Sequence, residues 1–362
     1  MKICVISTPI FKLPLAGYSG LEHLAWLTAK GLAEKGHEVS LVAPDGSECP
    51  NVEIVPIGPE RQVDEHMAYG GYPEVKEGEE IRRKKHGGYW QHLLKQDCVI
   101  DHSWMKFSYI LKMEERLTAP TLGILHAPVN SMYQSLPQVE KPCFVCISKD
   151  QALHFEAIFS RPARVAYNGI DTDHYKPIKM KRTKRFLFLA RFSSIKGPDL
   201  SVEAAKAADV ELDLVGDASL TGEPALLDKV KSMCNGNGIK MIGHVSRTET
   251  VWWYSQAHCL LHPNQRFREP FGLAPVESQS CGTPVICWNL GAMRETVKHG
   301  ETGWLVDSMS ELVKTVKNAK EDGFVTKEMR EACRENSQKF TIEKMISRYD
   351  ELIKEAVDGG GW

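Results

Sequence analysis

Two glutamates flanking a glycine-containing turn are the strongest chemical signal in the sequence. Glu269 and Glu277 have seven residues between them, and the segment PFGLA lies in that interval. The pattern predicts a helix that starts at Pro275, with Glu277 in its first turn and the amides of PFGLA beside the positive end of the helix dipole. Such a turn binds phosphate oxygens through its backbone. The two carboxylates could then accept hydrogen bonds from hydroxyl groups on either side of that phosphate.

Other polar residues directly follow predicted strands. In open α/β sheets, ligands bind outside the carboxyl ends of the strands, so these positions are the next candidates. The first half of the chain contributes the loop from Thr8 to Gly20, then His102 and His126. The second half contributes residues 191–197, 216–217, 243–245 and 262–277. We therefore expect ligand contacts at the strand ends of both halves.

Short apolar runs alternate with longer segments of helical period along the chain. This alternation predicts βαβ units with parallel sheets, and the runs are numerous enough for two sheets. The strands predicted in the first half are 2–7, 38–43, 52–57, 98–101, 121–125, 144–148 and 164–167. Those predicted in the second half are 185–190, 211–216, 239–243, 259–262, 284–287 and 303–306. The predicted fold class is α/β, with two Rossmann-like doubly wound domains.

A polar and strongly basic stretch at 176–185, KPIKMKRTKR, separates the two sets of strands. It has no hydrophobic period, which is typical of a solvated linker. We therefore expect a first domain over 1–175, a second over 176–340, and a C-terminal helix with a tail over 341–362. The excursion at 61–97 mixes turn signals with charged blocks, which predicts a surface insertion. Its basic face leaves a peripheral membrane contact open.

Composition and charge exclude several classes of protein. The chain has 45 Lys and Arg against 47 Asp and Glu, so no overall field attracts nucleic acid or an anionic membrane. The first residues lack the features of a signal peptide, and no run approaches the roughly 20 apolar residues of a membrane span. The ten cysteines are scattered, and only Cys143 and Cys146 have the spacing of half a zinc site. We expect a cytoplasmic protein without a metal site.

Five segments, in order along nearly the whole chain, resemble the retaining nucleotide-sugar glycosyltransferases of the GT-B fold, in the large group of family four. They are GYSGLEHLAWLTAKGLAEKGHEVSLVA, AYNGID, LARFSSIKG, EPFGLAPVE with CGTPVI, and GAMRETVKHGETGWLV. The resemblance implies that the two domains face a cleft and that the C-terminal helix crosses back to the first domain. It implies transfer of a hexosyl unit from a nucleotide diphosphate sugar to a hydroxyl acceptor, with the acceptor on the first domain.

The resemblance also implies roles for single residues. Arg191 and Lys196 match the positions that bind the diphosphate. Glu277 matches the carboxylate that holds the ribose hydroxyls, and Glu269 the one that contacts the transferred sugar. His126 matches a histidine that lies against the sugar. Further contacts to the nucleotide sugar are expected from glycine turns, backbone amides and strand-end loops, at Gly17, Gly20, Gly216, His244, Val245, Phe271, Gly272 and Leu273.

The implied mechanism is a front-face displacement in which the departing diphosphate helps to deprotonate the incoming hydroxyl. Because protein cations and amides can neutralise the diphosphate, and no DxD-type acid pair follows a strand at the donor site, we expect no metal and no cofactor besides the nucleotide-sugar co-substrate. A UDP-sugar is the first expectation and a GDP-sugar the second. The acceptor, whether a saccharide, a lipid or a small metabolite, stays open.

Two other functions are compatible with the same residues. A nucleotide-sugar epimerase of GT-B-like fold would use the same donor but needs additional acid and base carboxylates, and none is evident in the sequence. A non-catalytic nucleotide-sugar-binding subunit would keep the phosphate site and tolerate the loss of Arg191.

Overall fold

The computed structural model describes residues 1–15, 19–59, 89–103, 108, 117–129, 143–218, 223–234 and 238–359. The chain divides into two compact units. Unit 1 consists of Met1–Gly169 and Ile342–Trp362, and unit 2 consists of Ile170–Thr341. Ile170 forms a parallel bridge with Thr341, and its amide donates to the Phe340 carbonyl at 2.9 Å. The two ends of unit 2 are thus joined to each other.

Unit 1 contains a parallel sheet. Its strands are β1 Lys2–Ile6, β2 Glu38–Ala43, β3 Glu53–Pro56, β4 Cys98–Asp101, β5 Thr121–Leu125, β6 Cys143–Cys146 and β7 Arg164–Val165. Its helices include α1 Gly20–Glu34, α2 Trp90–Leu93 and α3 Lys149–Phe159. The strand order is β3-β2-β1-β4-β5-β6-β7. The strand interiors are almost entirely buried, as expected when a parallel sheet is covered on both faces.

Unit 2 repeats this architecture with a second parallel sheet. Its strands are β8 Phe186–Leu189, β9 Leu212–Val215, β10 Ile239–Gly243, β11 Leu260–His262, β12 Val285–Trp288 and β13 Gly303–Val306. Its helices are α4 Pro198–Ala208, α5 Pro224–Met233, α6 Arg247–Gln256, α7 Leu273–Ser280, α8 Met293–Thr296, α9 Met309–Ala319 and α10 Lys327–Ser337 within the described ranges. The strand order is β10-β9-β8-β11-β12-β13. The predicted α/β class with two Rossmann-like sheets is confirmed.

Each sheet reverses its strand order at one point. In unit 1 the reversal lies between β1 and β4, and in unit 2 it lies between β8 and β11. Loops leaving two such strands diverge to opposite faces of the sheet and leave a crevice at the carboxyl ends. The residues that follow these four strands are therefore the ones that the fold brings to a binding position.

The C-terminal helix, α11 Ile342–Val357, belongs to unit 1. Its buried side chains recur with helical period: Met345, Ile346, Tyr349, Leu352, Ile353 and Ala356. It packs against α1 where that helix has a glycine, because a Cβ at Gly31 would lie 2.5 Å from Cγ1 of Ile346. Gly31 thus allows the close approach of the two helices.

The basic segment at 176–185 is exposed at six of its ten residues, as predicted, but it is not an interdomain linker. It lies inside unit 2, where Arg182 donates to the Cys281 carbonyl at 2.6 Å and to Oγ1 of Thr283 at 2.5 Å. Tyr175, just before the segment, is buried and its carbonyl accepts from the Ser280 hydroxyl at 2.7 Å. These contacts explain why unit 2 begins at Ile170 and not after residue 175.

Several sequence predictions concern residues outside the described ranges. Gly17 is one of them, and so are residues 61–88 of the predicted surface insertion and the tip of the C-terminal tail. The remaining insertion residues contain α2, whose Leu93 is buried. Cys143 and Cys146, the pair with zinc-like spacing, are free thiols buried in β6.

Candidate active site

Lys196 and Glu269 meet at the reversal point of unit 2. Lys196 lies in the loop between β8 and α4, and Glu269 lies in the loop between β11 and α7. Nζ of Lys196 is 2.5 Å from Oε2 of Glu269, and their side chains are 17% and 9% exposed. The ammonium also lies 5.4 Å from the centroid of the Phe267 ring. The fold therefore joins two predicted site residues that are 73 positions apart in the chain.

The environment keeps Glu269 ionised. Burial would raise the pKa of this carboxyl, but the charge of Lys196 and the neighbouring His262 outweigh burial and hold its pKa at about 2. A buried carboxylate that is fixed in its charged form is a strong hydrogen-bond acceptor. Glu269 can therefore accept hydrogen bonds from ligand hydroxyl groups at any physiological pH.

A second ion pair fixes the two loops to each other. Nη1 of Arg266, in the Glu269 loop, lies 3.1 Å from Oδ1 of Asp199, which is almost fully buried at the start of α4. The same nitrogen donates to the Ser194 carbonyl at 3.4 Å. Paired contacts of a guanidinium with a carboxylate constrain direction as well as distance. The ion pair of Arg266 with Asp199 thus helps to fix the positions of the two loops from which Lys196 and Glu269 meet.

Gly197 lets the Lys196 loop approach the Glu269 loop. It has a φ of +70°, and a Cβ there would lie 2.6 Å from the Pro263 carbonyl oxygen. Only glycine adopts this conformation without strain, and no side chain fits against a backbone atom at that distance. The glycine in the motif SIKG is therefore required by both the turn and the contact.

We expect Gly197→Ala to lower both stability and activity. Gly300→Ala is a matched control because Gly300 has a φ of +78° with nothing within 4 Å of an added Cβ. Both variants should lose roughly 1–2 kcal/mol through the left-handed backbone. Only Gly197→Ala should also displace Lys196 and lower kcat/KM about tenfold. Thermal unfolding and turnover measurements test this, and equal activity of the two variants would contradict the role given to the Pro263 contact.

Helix α7 begins earlier than predicted. Its first residue is Leu273 and not Pro275, because Gly272 has a φ of +82° and forms the N-cap. The predicted first-turn position of Glu277 is therefore wrong, since that residue lies in the second turn. The first amides of the helix, including that of Leu273, have no acceptor within the helix and can bind an anion. Phe271 is buried and packs edge-on against Phe340, with ring centroids 5.5 Å apart.

Glu277 is buried among aromatic residues. Its Oε2 accepts from the Tyr254 hydroxyl at 3.0 Å. Burial raises the pKa of Glu277, and the charge of Arg247 with the hydroxyls of Tyr254 and Tyr175 offsets only part of that effect. Arg247 is itself held 5.5 Å from the centroid of the Tyr175 ring. The surroundings of Glu277 in the ligand-free protein thus oppose its ionisation.

We expect Glu277→Gln to stabilise the ligand-free protein and to weaken nucleotide binding. The pKa of Glu277 in the folded state lies above its value of about 4.3 in the unfolded chain. The folded protein therefore loses stability as the pH rises from the unfolded-state pKa through the folded-state pKa. The Tm gain of Glu277→Gln, roughly 2–4 °C at pH 7.5, should therefore vanish at low pH. Affinity for UDP should fall about tenfold, because a neutral acceptor binds ribose hydroxyls less strongly. A lower Tm at pH 7.5 would contradict this account.

The remaining candidates of unit 2 lie at the ends of β9 and β10. Gly216 has a φ of +133°, and its amide donates to the Gly243 carbonyl at 2.9 Å. The His244 side chain is 55% exposed, with Nδ1 3.6 Å from Oδ2 of Asp217. Val245 is half-buried. Because β9 is the neighbour of β8, these residues border the loop that contains Arg191. The side chain of Arg191 is exposed.

Unit 1 brings two histidines together beside its own reversal point, at the ends of two adjacent strands. His102 follows β4 and His126 follows β5, and Nδ1 of His102 is 2.8 Å from Nε2 of His126. The rings stack with centroids 5.1 Å apart. Burial lowers the pKa of His126 to about 3. The pKa of His102 is also well below its ordinary value, because the ring is buried and lies beside His126. Both rings are therefore neutral at physiological pH, so His126 can offer a hydrogen bond without a charge.

A buried carboxylate also lies at this point of unit 1. Glu22, near the start of α1, accepts hydrogen bonds from the hydroxyls of Thr8 and Ser19. Gly20 is the first residue of α1. The strand-end rule selected the loop from Thr8 to Gly20 but gave no sign that Thr8 would donate to the Glu22 carboxylate. The position of Thr8, two residues after the end of β1, was the available signal.

Two negative findings concern the described ranges only. No group of three or more His, Cys, Asp or Glu side chains there has an arrangement that could hold a metal ion. No helix in those ranges is both long enough and apolar enough to span a membrane.

Comparisons with known proteins identify a family for unit 2 and relatives for most of the chain. Residues 170–340 match the family described as glycosyl transferases group 1. A D-inositol 3-phosphate glycosyltransferase from Pseudarthrobacter chlorophenolicus is 25% identical over 331 residues, which cover 77% of this chain and 76% of the relative.

Solved structures extend the similarity to both units. Sucrose-phosphate synthase from Thermosynechococcus elongatus is similar with a TM-score of 0.78 and 18% identity, over 98% of each chain. Anabaena Alr3699/HepE in complex with UDP and glucose is similar with a TM-score of 0.77 and 18% identity, over 98% of this chain and 99% of the other. The resemblance seen in the sequence is therefore confirmed for the domain and the fold: residues 170–340 form a glycosyl transferases group 1 domain, and the chain is a glycosyltransferase with two Rossmann-like units of the GT-B fold.

Proposed function

We propose that the protein transfers a hexosyl unit from a nucleotide diphosphate sugar to a hydroxyl acceptor, with retention of anomeric configuration. The observation that carries this proposal is the contact of Lys196 with Glu269 at the reversal point of unit 2, near the first amides of α7. A cation and amides at this position can neutralise a departing diphosphate. The fixed carboxylate can accept hydrogen bonds from the sugar that is transferred.

In the proposed reaction, the bond between the anomeric carbon and the diphosphate oxygen breaks. A bond from the acceptor oxygen forms on the same face of the sugar, and the acceptor proton passes to the departing diphosphate. The developing negative charge is stabilised by Lys196, by the amides of Gly272 and Leu273, and by Arg191. The exposed guanidinium of Arg191 is free to turn toward two phosphate oxygens at once, which suits its planar fork.

We propose UDP as the nucleotide, with GDP as the second choice. Support comes from Anabaena Alr3699/HepE, which was solved with UDP and glucose and also with UDP-glucose. Glu277 would hold the ribose hydroxyls, and the loops at Gly216 and His244–Val245 would contact the base and phosphates. Unit 1 would bind the acceptor, with neutral His126 donating to or accepting from a sugar hydroxyl.

We further propose that turnover needs no metal ion, because the cations and amides named above provide the charge stabilisation. Treatment with EDTA followed by gel filtration should then leave the rate unchanged. A rate restored only by added manganese or magnesium would contradict this part of the proposal.

Calorimetric titration with UDP, GDP and ADP tests the nucleotide, and we expect binding of UDP to be the strongest. Turnover of UDP-glucose with a panel of saccharide, lipid and polyol acceptors, followed by NMR of the anomeric proton of the product, tests transfer and retention. An inverted product would contradict the displacement on one face. Incubation with UDP-sugars alone distinguishes an epimerase, since an epimerised sugar without any acceptor would overturn the assignment as a transferase.

A further inference from the structure

His262 lies beside the Lys196–Glu269 pair without being part of it. It is the last residue of β11 and is 2% exposed. Its Nε2 is 3.6 Å from Oε2 of Glu269, the same oxygen that Nζ of Lys196 contacts at 2.5 Å. At 3.6 Å the imidazole is just beyond hydrogen-bond distance. Its Nε2 has no hydrogen-bond partner among the residues that the structure describes.

Two demands on Lys196 conflict when a ligand binds. In the ligand-free protein its ammonium neutralises the buried carboxylate of Glu269. The proposed function requires the same ammonium to stabilise a diphosphate. A buried carboxylate that loses its cation is strongly destabilised, so a replacement partner or a proton is needed. The nearest ionisable group that can meet this need is the unpartnered nitrogen of His262.

The surroundings of His262 supply few other charges. Strand β8, next to β11, is entirely apolar. On the other side, Cys287 of β12 pairs with His262, and burial raises the pKa of its thiol, which therefore stays neutral. The only carboxylate of α7 is that of Glu277, which is bound by Tyr254. Burial lowers the pKa of His262, Glu269 raises it and Lys196 lowers it further. In the ligand-free state the imidazole is therefore neutral near pH 7.5.

We propose that His262 is a positioning residue that becomes the partner of Glu269 when a nucleotide diphosphate binds Lys196, and that it takes up one proton from solvent in doing so. The new N–H of His262 then donates to Oε2 of Glu269, and the carboxylate stays charged and correctly oriented for the sugar. The proton comes from the buffer, so the charges balance: the ligand neutralises Lys196, and the imidazolium neutralises Glu269. This inference rests on the proposed function of the site.

Calorimetric titration of the whole protein with UDP in buffers of different ionisation enthalpy measures this proton directly. At pH 7.5, the slope of the observed enthalpy against buffer enthalpy should correspond to an uptake of about one proton per UDP bound. His262→Gln should bind UDP with no uptake. Glu269→Gln should also abolish it, because the variant has no buried charge to neutralise.

A matched control is available just before the start of the same strand. His258 is a half-buried histidine whose Nε2 is 2.6 Å from the Ala319 carbonyl oxygen, and Glu269 is not among its partners. His258→Gln should retain the full uptake. A second measurement needs no variant: in the wild-type protein, the nitrogen NMR shifts of one histidine should change from neutral to cationic on saturation with UDP.

Four outcomes would overturn the proposal or its basis. Binding of UDP to the wild-type protein without proton uptake would show that Lys196 stays with Glu269. Uptake that persists in His262→Gln would assign the proton to another group, and an unchanged histidine spectrum would do the same. Failure of the wild-type protein to bind any nucleoside diphosphate would instead overturn the proposed function, and the inference with it.

Discussion

Lys196→Ala is expected to lower kcat by about 100- to 1000-fold, which is the usual effect of removing one preorganised charge donor from a developing oxyanion. The side chain is lost where the leaving diphosphate gains charge, and the nearby Glu269 carboxylate loses its partner at the same time. We expect KM for the nucleotide sugar to change less than kcat, since the charge on the diphosphate grows toward the transition state. Release of UDP from UDP-glucose, with and without acceptor, measures both.

Lys229→Ala is the matched control for this variant. Lys229 also forms an ion pair in unit 2, with Nζ 2.9 Å from Oδ2 of Asp199, but its side chain is 50% exposed, and Asp199 keeps Arg266 as its partner when Lys229 is removed. We expect its loss to change the rate little. If Lys196→Ala and Lys229→Ala had the same kcat, Lys196 would not stabilise the leaving group.

Arg182→Met is expected to lower the free energy of unfolding of unit 2 by about 3 kcal/mol, because two buried acceptors lose a charged donor at once. The acceptors are the Cys281 carbonyl and the Thr283 hydroxyl, in the turn between α7 and β12. Burial and the neighbouring Arg330 lower the pKa of Arg182 to about 10, so the side chain still carries its charge at neutral pH. Urea unfolding followed by the fluorescence of the tryptophans in unit 2 measures the change.

Lys181→Met provides the comparison for Arg182→Met, since it removes a charge from the exposed neighbour in the same segment. We expect its unfolding midpoint to match the wild type. Equal midpoints for the two variants would mean that the segment is a solvated linker after all, as its composition had indicated.

Elements with a strong hydrophobic period could be predicted well from the sequence. The strands at 38–43, 98–101 and 121–125 have the predicted bounds, and α11 lies within the predicted C-terminal segment at 341–362, with Met345 and Leu352 on its buried face. These residues are buried because of their own type and spacing, so the local pattern contains the necessary information.

Features that depend on long-range contacts could not be predicted. The charge of Arg182 indicated solvent, while its burial depends on carbonyls about 100 positions further along the chain. The start of α7 was misjudged because proline is a common first residue of a helix, whereas here the left-handed Gly272 allows the helix to begin two residues earlier. The neighbours of Glu277, such as Tyr254, were also missed, since a tyrosine in an amphipathic helix usually indicates only burial.

The candidate site was predicted in part. The strand-end rule selected Lys196 and Glu269, which follow the two reversal strands of unit 2, and His126, which follows β5, because a parallel sheet fixes where its carboxyl ends meet. The rule could not indicate that Lys196 and Glu269 form an ion pair without ligand, or that His102 and His126 share a hydrogen bond. Their roles in binding and turnover stay predictions.

The joined ends of unit 2 affect the order in which the protein can fold on the ribosome. Unit 2 has all of its residues once Thr341 has been added, including the bridge from that residue back to Ile170. Unit 1 still lacks α11 at that moment, so the surface of α1 around Gly31 has nothing to cover it. At ~5–20 residues per second, translation of the missing segment takes on the order of seconds. The sheet of unit 1, although it is synthesised first, thus receives its last helix from a segment that follows all of unit 2 in the chain.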